Sequence, residues 1–278
     1  MIFDKPIGIG AEQVMRRTNI LIDSHVHLDM IARLHPERIN WLKDNQVGVV
    51  SWSYFEDVQS LSQLEDCLAS KARIIHELAA GGLDCWFLAG IHPRSIPPDL
   101  QPEQIPSLLE PFLADLRCRG IGEIGLETAD ANEQEILIAQ LELGLRVIPS
   151  GMRIGIHTPR ANKGPVTRTT LQILERFSSV SAAIVVDHCT PETIGTVLDA
   201  GFWAGVTLSS VKTSWEEMQV ITQTCTDCHD RVMCNTDSGL EFFEDAVRCR
   251  EDSVLPEAVR KAIFHDNAKR FFHLDPSG

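Results

Sequence analysis

The feature that most constrains the fold is a regular alternation of short apolar runs with longer amphipathic segments after residue 19. The apolar runs are rich in Val, Ile and small residues, which is typical of strands buried on both faces of a parallel sheet. Eight such strands alternating with helices favour a (β/α)8 TIM barrel of the α/β class, with an open doubly wound sheet as the alternative. The predicted strands are residues 20–25, 47–53, 84–92, 118–126, 152–158, 182–188, 202–209 and 231–237.

The segments between these strands have helical periodicity and suitable ends. Residues 64–81 repeat apolar positions at three and four and end at glycines. Residues 132–149 have acids in the first turn, and residues 191–201 begin with proline and end with glycine. We expect residues 240–255 to form an extra helix or loop, and the last helical stretch, 256–274, to break near His265 to Asn267.

The length of 278 residues suits one domain, because single barrels of this type have about 250 residues. We predict that residues 20–278 form the barrel. Residues 1–19 are predicted to be an N-terminal extension that packs across the bottom of the barrel.

Charge and hydropathy limit the partners of the protein. The net charge of −14 disfavours an extended nucleic-acid surface, which would have to be basic. No apolar run approaches the roughly 20 residues of a membrane span, so we expect no membrane partner. The first 19 residues contain an early acid and a proline and have no apolar core of a secretory signal. We therefore expect a cytoplasmic protein.

Eight cysteines are present, and most are scattered, which favours reduced thiols over disulfides. One cluster, TCTDCHDRVMC, contains the C-x-x-C-H pattern of c-type haem attachment. Its Cys225, Cys228, His229 and Cys234 are alternatively a candidate zinc site. We favour a helix end and a strand with reduced cysteines, because short motifs often match by chance.

Histidines and acids gather where the predicted strands end. His25 and His27 are two residues apart, so in a strand they point to the same face. The C-terminal ends of barrel strands meet at one face, where buried imidazoles and carboxylates are costly unless they pair or bind a cation. Convergence therefore predicts a metal centre. The strand-end residues are His25, His27, His92, Glu123, His157, Asp187, His188 and Asp237.

The sequence GIGEIG, residues 120–125, matches the dinucleotide-binding pattern G-x-G-x-x-G. Its glycines lie within a predicted strand, the next helix begins near residue 132, and a carboxylate would repel pyrophosphate. We interpret Glu123 instead as an acid that its small neighbours bring close to an ion.

The motifs DSHVHLD, GIHP, GEIGLE, IHTPRA, DHC, NTDSG and DNAKRFF occur in the order found in the TatD-like metal-dependent hydrolases. Over residues 20–274 the chain resembles this family, which belongs to the amidohydrolase superfamily. The resemblance implies a barrel with a one- or two-metal centre, and several members of the family are deoxyribonucleases.

The resemblance also implies two sets of metal ligands that share one carboxylate. Glu123 would bridge the two ions, Asp237 would also take a proton from the attacking water, and His92 would lie near the substrate. Imidazole and carboxylate ligands suit zinc, manganese or magnesium without identifying the ion. The sets are His25, His27 and Asp237 for one ion and His157 and His188 for the other.

The loops around the site depart from the family. Residues 189–195 read CTPETIG where many members have Phe, Ser and Gly, and Asn235 stands close to a position that often carries an acid. Arg94, Arg160 and Lys212 follow predicted strands and are candidates to bind a phosphate or carboxylate of the substrate.

Two further sets of residues leave alternatives open. Asp187 is in a position to orient an imidazole, but neighbours on a strand point to opposite faces, so we favour an uninvolved strand-end acid. Trp52, Tyr54 and Phe55 are candidates to stack on a base or to belong to the core or a lid.

We predict a metal-dependent hydrolase that activates water and cleaves a phosphodiester bond in a small molecule or at a nucleic-acid end. The alternative is a hydrolase of a small-molecule ester, lactone or amide, which the acidic charge and altered loops favour over an enzyme that acts on bulk DNA. A non-catalytic haem- or zinc-binding protein is the second alternative, against which the presence of every implied ligand argues.

Overall fold

The structure is a computed structural model that describes residues 19–224, 228–238 and 243–274. Its centre is one sheet of eight parallel strands, and each strand pairs with the next one along the chain. All eight predicted strands are present within a few residues of their expected positions. They are β1 (Leu21–Val26), β2 (Val47–Ser51), β3 (Cys85–Leu88), β4 (Cys118–Gly125), β5 (Arg153–His157), β6 (Ile184–Val186), β7 (Trp203–Thr207) and β8 (Val232–Asn235).

Strands β1 and β8 close the sheet. A parallel bridge joins Val26 to Asp237. The N–H of His27 donates to the carbonyl of Asp237 at 3.0 Å, and the N–H of Asp237 donates to the carbonyl of His25 at 2.9 Å. An open doubly wound sheet would leave both edges unpaired, so that alternative is wrong. The (β/α)8 TIM barrel is confirmed.

Helices connect the strands on the outside of the barrel. Ser60 caps α3 by accepting from the N–H of Gln63 at 3.2 Å, and Asp130 caps α5 by accepting from the N–H of Glu133 at 2.9 Å. No helix among the described residues is long and apolar enough to cross a membrane. The helices are α1 (Leu28–Leu34), α2 (Pro36–Asp44), α3 (Leu61–Ala80), α4 (Ile105–Leu113), α5 (Ala131–Val147), α6 (Lys163–Leu174), α7 (Ile194–Asp199), α8 (Trp215–Thr224), α9 (Phe243–Glu251), α10 (Glu257–Lys261) and α11 (Asn267–Phe271).

Apolar side chains of the strands pack in two layers. The larger layer points outward and packs against the helices, as Val49, Phe87 and Ile156 do. The smaller layer fills the interior of the barrel with bulky residues, which leaves a packed core rather than a pore. The strand residues of this inner layer, with Trp52, are Ile22, Val50, Trp86, Leu88, Val185, Trp203 and Met233.

Helix α11 covers the bottom of the barrel, where the strands begin. Phe271 and Phe272 join the inner layer. Nε of Arg153, at the start of β5, donates to the carbonyl of Phe271 at 2.6 Å. The guanidinium of Arg270 lies 5.2 Å from the ring centre of Trp203, at the start of β7. The predicted extension falls almost wholly on residues 1–18, which lie outside the described residues.

The C-terminal helical region runs through from α10 to α11. A π-helical turn, Ala262–Asp266, joins the two helices, so the predicted break near residues 265–267 is wrong. The chain changes its hydrogen-bonding pattern there without leaving the helix. Of the extra helix or loop predicted for residues 240–255, the structure shows a helix, α9; residues 239–242, directly before it, lie outside the described residues.

Candidate metal centre

Glu123 lies at the centre of the C-terminal face of the barrel and is 1% exposed. Its two carboxylate oxygens face different histidines. Oε2 lies 3.2 Å from Nε2 of His25 and 3.8 Å from Nε2 of His27. Oε1 lies 2.7 Å from Nδ1 of His157 and 3.2 Å from Nε2 of His188. The carboxylate thus divides the four histidines into two pairs.

Asp237, which follows β8, joins the first pair. Its Oδ1 lies 3.0 Å from Nε2 of His27 and 3.8 Å from Nε2 of His25. Its Oδ2 lies 2.5 Å from Nζ of Lys212. Asp237 and His188 have φ angles of 61° and 57°, a left-handed conformation that costs free energy in non-glycine residues. Backbone strain of this kind often gathers at functional sites, and here it directs two of the converging side chains.

The converging groups suit a divalent metal. Nε2 of His25 is buried and makes no hydrogen bond among the described residues, although it faces the carboxylate of Glu123. A buried polar atom in this position is costly unless a cation fills the space between it and the acid. Imidazole nitrogens and carboxylate oxygens are ligands of zinc and related ions. Ligand atoms lie within 4.8 Å of one another in three sets: His25, His27 and Glu123; His25, His188 and Asp237; and His92, Glu123 and His157.

The ionisable groups of the centre differ in pKa. Burial alone would raise the pKa of Glu123, but the nearby histidines, His25 foremost, hold that pKa well below its usual value. Burial opposes the charge on His25, yet Glu123 and Asp187 raise the pKa of His25 to about 10. Burial and the ammonium of Lys212 lower the pKa of His188 to about 4. A metal that binds must therefore displace a proton from His25 but none from His188.

Trp52 forms the floor of the centre. It is 1% exposed, and its ring stacks on that of His25 with 4.1 Å between ring centres and 10° between planes. Its Nε1 donates to the carbonyl of Ser24 at 2.9 Å. Gly155 leaves room for the ring, since a Cβ there would lie 2.5 Å from it. Trp52 therefore belongs to the barrel core and is not available to stack on a base.

Asp187 contributes to the centre, contrary to expectation. Its Oδ2 lies 2.5 Å from Nδ1 of His25, and its Oδ1 accepts from Nδ2 of Asn235 at 2.8 Å. Gly205 on β7 provides the space, because a Cβ there would lie 2.0 Å from Oδ1. The interpretation as an uninvolved strand-end acid is wrong. Strand β6 ends one residue before Asp187, so the alternation of a strand no longer determines its direction, and it orients His25 rather than His188.

His92 lies among the ligand side chains and is 1% exposed. Its Nε2 is 3.7 Å from Oε1 of Glu123, and its Nδ1 accepts from the N–H of Arg94 at 3.0 Å. Burial and the neighbouring His157 hold the pKa of His92 well below its usual value, so the ring is neutral and carries its proton on Nε2. This tautomer favours hydrogen-bond donation over metal binding, and the expected position of His92 near the substrate stays a prediction.

A cavity of about 640 Å³ opens above the centre. His157, His188 and Asp237 lie in its wall. Tyr54 stands beside it, with the guanidinium of Arg94 4.7 Å from its ring centre, whereas Phe55 is buried in the core. The charged residues of the cavity wall are Arg94, Glu127, Arg160, Lys163, Glu192, Lys212, Glu217 and Asp237. The structure therefore brings the three predicted anion-binding residues, Arg94, Arg160 and Lys212, to the same opening.

Three polar residues of the site were not found from the sequence. Oε2 of Glu127 lies 3.0 Å from Nε2 of His157. Nζ of Lys163 donates to the carbonyl of His188 at 2.8 Å, and Oγ1 of Thr207 lies 2.7 Å from Nδ1 of His188. Glu127 follows β4 and Thr207 ends β7, so both would have been predicted if every polar residue at a strand end had been taken as a candidate. Lys163 opens helix α6 and carries no such signal.

The two competing motifs have different outcomes. The glycines of residues 120–125 lie within β4, and α5 begins only at Ala131, so the dinucleotide-binding interpretation is excluded as expected. In the cysteine cluster, Cys225 lies outside the described residues and the side chain of Cys228 is not described. Cys234 is buried in β8, and the six cysteines whose side chains are described are free. The haem or zinc alternative is therefore not tested, and a helix end followed by a strand with reduced cysteines stays the prediction for this cluster.

Two known proteins are similar to this chain over most of its length. A solved structure of the TatD-like protein of Archaeoglobus fulgidus is 31% identical, with a TM-score of 0.70, and the match covers 91% of this chain and 99% of that one. An uncharacterized metal-dependent hydrolase of Methanocaldococcus jannaschii is 28% identical over 202 residues, which are 71% of this chain and 76% of the relative.

A more distant structure shares the fold alone. The β-aspartyl dipeptidase of Fervidobacterium islandicum is 15% identical, with a TM-score of 0.62, over 91% of this chain and 75% of that one. The family model described as TatD related DNase matches residues 22–272, a range that contains every predicted metal ligand. The chain is therefore a metal-dependent hydrolase and belongs to the TatD related DNase family.

Proposed function

We propose that the protein hydrolyses phosphodiester bonds with a two-metal centre, at the ends of nucleic-acid chains or in small molecules. The observation that carries the proposal is the division of four histidines between the two oxygens of Glu123. Glu123 would contact both ions. The remaining ligands would be His25, His27 and Asp237 for one ion and His157 and His188 for the other.

The protein groups supply proton transfer and orientation. Divalent ions at such a centre lower the pKa of water and neutralise negative charge that develops on the substrate. Burial opposes ionisation of Asp237, but His27 and Lys212 hold the pKa of Asp237 well below its usual value. Its carboxylate is thus available to take the proton of the attacking water. His92, with its proton on Nε2, would donate a hydrogen bond to a substrate oxygen.

The cavity supports a small or terminal substrate. Its volume of about 640 Å³ falls within the range of roughly 300–1,000 Å³ that holds small ligands. Its wall carries four basic and four acidic residues, so divalent ions would make the site net positive and attractive to a phosphate. Duplex DNA would need a broad basic surface, which a net charge of −14 does not favour.

The same balanced wall favours one alternative. Because the wall carries both basic and acidic side chains, a small ester, lactone or amide with both charges would also be recognised. A hydrolase of such a compound would use the same metal centre and the same proton acceptor.

The test is hydrolysis by purified protein after a chelator removes metal and zinc, manganese or magnesium is returned. End-labelled single-stranded DNA and a panel of small esters, lactones and amides are the substrates. Glu123→Gln removes the central charge, and Glu142→Gln makes the same change on the exposed side of α5 as a matched control. We expect metal-dependent shortening of DNA that Glu123→Gln abolishes and Glu142→Gln preserves. Cleavage of only the small compounds would favour the alternative, and metal-loaded protein without any turnover would contradict both.

A further inference from the structure

Four hydrogen bonds connect His25 to His188 through buried side chains from three strand ends. Oδ2 of Asp187 lies 2.5 Å from Nδ1 of His25, and Oδ1 of Asp187 accepts from Nδ2 of Asn235 at 2.8 Å. Oγ1 of Thr207 donates to Oδ1 of Asn235 at 2.7 Å and lies 2.7 Å from Nδ1 of His188. All five residues are at most 3% exposed, so water does not compete for these bonds.

The carboxylate of Asp187 determines which group donates in each of these four hydrogen bonds. Oδ1 of Asp187 accepts from Asn235 and Oδ2 pairs with Nδ1 of His25, and an ionised carboxylate has no hydrogen to donate. Asn235 must then turn its NH₂ group toward Asp187 and its oxygen toward Thr207. The single hydrogen of the Thr207 hydroxyl is used on Asn235. The hydroxyl can therefore only accept from Nδ1 of His188.

Both histidines consequently carry a hydrogen on Nδ1. In a neutral ring this leaves the lone pair on Nε2, and Nε2 of His25 and of His188 each lie 3.2 Å from the carboxylate of Glu123. Nζ of Lys212 is 3.1 Å from Nδ1 and 3.4 Å from Nε2 of His188. An atom at similar distances from both ring nitrogens lies over the ring face, so Lys212 does not compete for either in-plane position.

We propose that Asp187, Asn235 and Thr207 form a positioning relay that fixes a hydrogen on Nδ1 of both His25 and His188. Through this relay one carboxylate prepares a ligand on each side of Glu123. The inference rests on the proposed two-metal centre, although the relay itself contains protein groups alone. His27 is oriented separately, because its Nδ1 lies 3.2 Å from the carbonyl of Trp52. The three relay residues act through histidines and do not touch the substrate.

The relay predicts an asymmetric response to substitution. Asp187→Asn disturbs both ends, so the affinity for each of two zinc ions falls about 10–100-fold, the usual effect of losing a partner of a metal-binding histidine. Thr207→Val keeps the shape of the side chain but removes the acceptor for His188. The affinity for the zinc ion on the His188 side falls about 10–100-fold, and the affinity for the ion held by His25 stays nearly unchanged. Thr207→Ser retains the hydroxyl and restores both affinities.

The experiment combines zinc affinities from chelator competition with histidine tautomers from long-range ¹H–¹⁵N NMR. Thr170→Val is the matched control, because Thr170 is also buried and its hydroxyl donates to a carbonyl of its own helix at 3.0 Å. We expect His188 to be protonated on Nδ1 in the metal-free wild type. Thr207→Val shifts His188 toward protonation on Nε2, whereas Thr170→Val has no effect.

Several results would overturn the relay. They are a His188 protonated on Nε2 in the wild type, unchanged affinities in Thr207→Val, or an equal loss at both ions that Thr170→Val reproduces. Failure of the proposed function looks different. If the tautomers and zinc affinities follow the predicted pattern but no phosphodiester is cleaved, the relay stands and the substrate proposal falls. If the wild type binds no zinc, the proposed two-metal centre is wrong. The relay is then tested by the NMR measurement of the His188 tautomer alone.

Discussion

The depth of the metal centre depends on Gly155. Its hydrogen faces the ring of Trp52, on which the imidazole of His25 stacks. Any side chain on β5 at this point would push the tryptophan upward against the metal ligands. The sequence gives no direct sign of this contact, because Gly155 and Trp52 lie on different strands and meet only in the closed barrel.

Gly155→Ala should destabilise the protein by about 1–3 kcal/mol through overpacking, and should also weaken metal binding. Gly195→Ala is the matched control, since nothing lies within 4 Å of the added Cβ in helix α7. There the better helix propensity of alanine should stabilise the protein by about 0.5–1 kcal/mol. Chemical denaturation measures both changes. Equal effects of the two substitutions would refute the packing argument.

Protons should leave the centre when metal binds. Since Glu123 and Asp187 raise the pKa of His25 to about 10 against the effect of burial, His25 carries a proton at pH 7.5. His157 also has a raised pKa, whereas His188, with a pKa of about 4, is neutral. We expect about one to two protons to be released and metal affinity to rise with pH up to the pKa of His25. Titration calorimetry in buffers of different ionisation enthalpy measures this number, and a value of zero would contradict the assignment.

The sequence was sufficient to predict a site residue where the residue type by itself indicates a chemical role. The pair His25 and His27, and Glu123 within an apolar strand, are conspicuous in the sequence because such groups are costly in a core. Asp187 and Thr207 are not, since their contribution depends on the partner that each meets across the barrel. A threonine near the end of a strand looks like any other β-former until Asn235 is placed beside it.

Helix α3 supports the centre from outside the barrel through Lys71. The residue is 1% exposed, and its Nζ donates to Asp29 at 2.8 Å, to Oγ of Ser51 at 2.6 Å and to the carbonyl of Trp52 at 2.8 Å. All three hydrogens of the ammonium are thus used. The same Trp52 carbonyl lies 3.2 Å from Nδ1 of His27, so the helix contacts the metal centre through one backbone group.

Lys71→Met should cost about 3–5 kcal/mol, because it leaves the Asp29 carboxylate and two other acceptors without their partner. Arg73→Met on the exposed face of α3 is the control and should change stability by less than about 0.5 kcal/mol. Thermal and urea unfolding of both variants provide the comparison. A loss below about 1 kcal/mol for Lys71→Met would show that the buried ion pair contributes little.

For the helices and strands, the periodicity of the sequence predicted which elements exist better than it predicted where each one begins and ends. The eight strands were recognisable because each is a short apolar run between helical segments, and parallel strands are buried on both faces. The junction from α10 to α11 was not, because a π turn differs from a helix break by a shift of one hydrogen-bond partner. Asn267 and His265 are compatible with either geometry.

For the whole molecule, the net charge and the closed barrel determine which substrates can reach the metal centre. The sequence predicted the closed barrel from the number of strands, since a barrel of this type is built from eight parallel strands that alternate with helices. It did not predict that α11 covers the bottom, because the aromatic pair Phe271 and Phe272 would suit any buried helix. With the bottom covered, the described part of the chain offers the metal centre to substrate through the opening lined by Arg94 and Arg160.

Because the protein is acidic and its opening is small, we expect it to cleave DNA at the ends of the strand. We expect equal initial rates on short and long single-stranded DNA at the same molar concentration of ends. The dependence of KM on salt should be shallow, corresponding to fewer than about three neutralised phosphates. Assays over a range of lengths and salt concentrations test this. Rates that grow with length, together with a steep salt dependence, would indicate internal cleavage along a basic surface.

The most direct test of the two-metal centre is anomalous diffraction from crystals grown with manganese. The account predicts two peaks, one on each side of the Glu123 carboxylate. The first should lie between His25, His27 and Asp237, and the second between His157 and His188. A single peak bound by all six side chains, or peaks away from Glu123, would contradict the account.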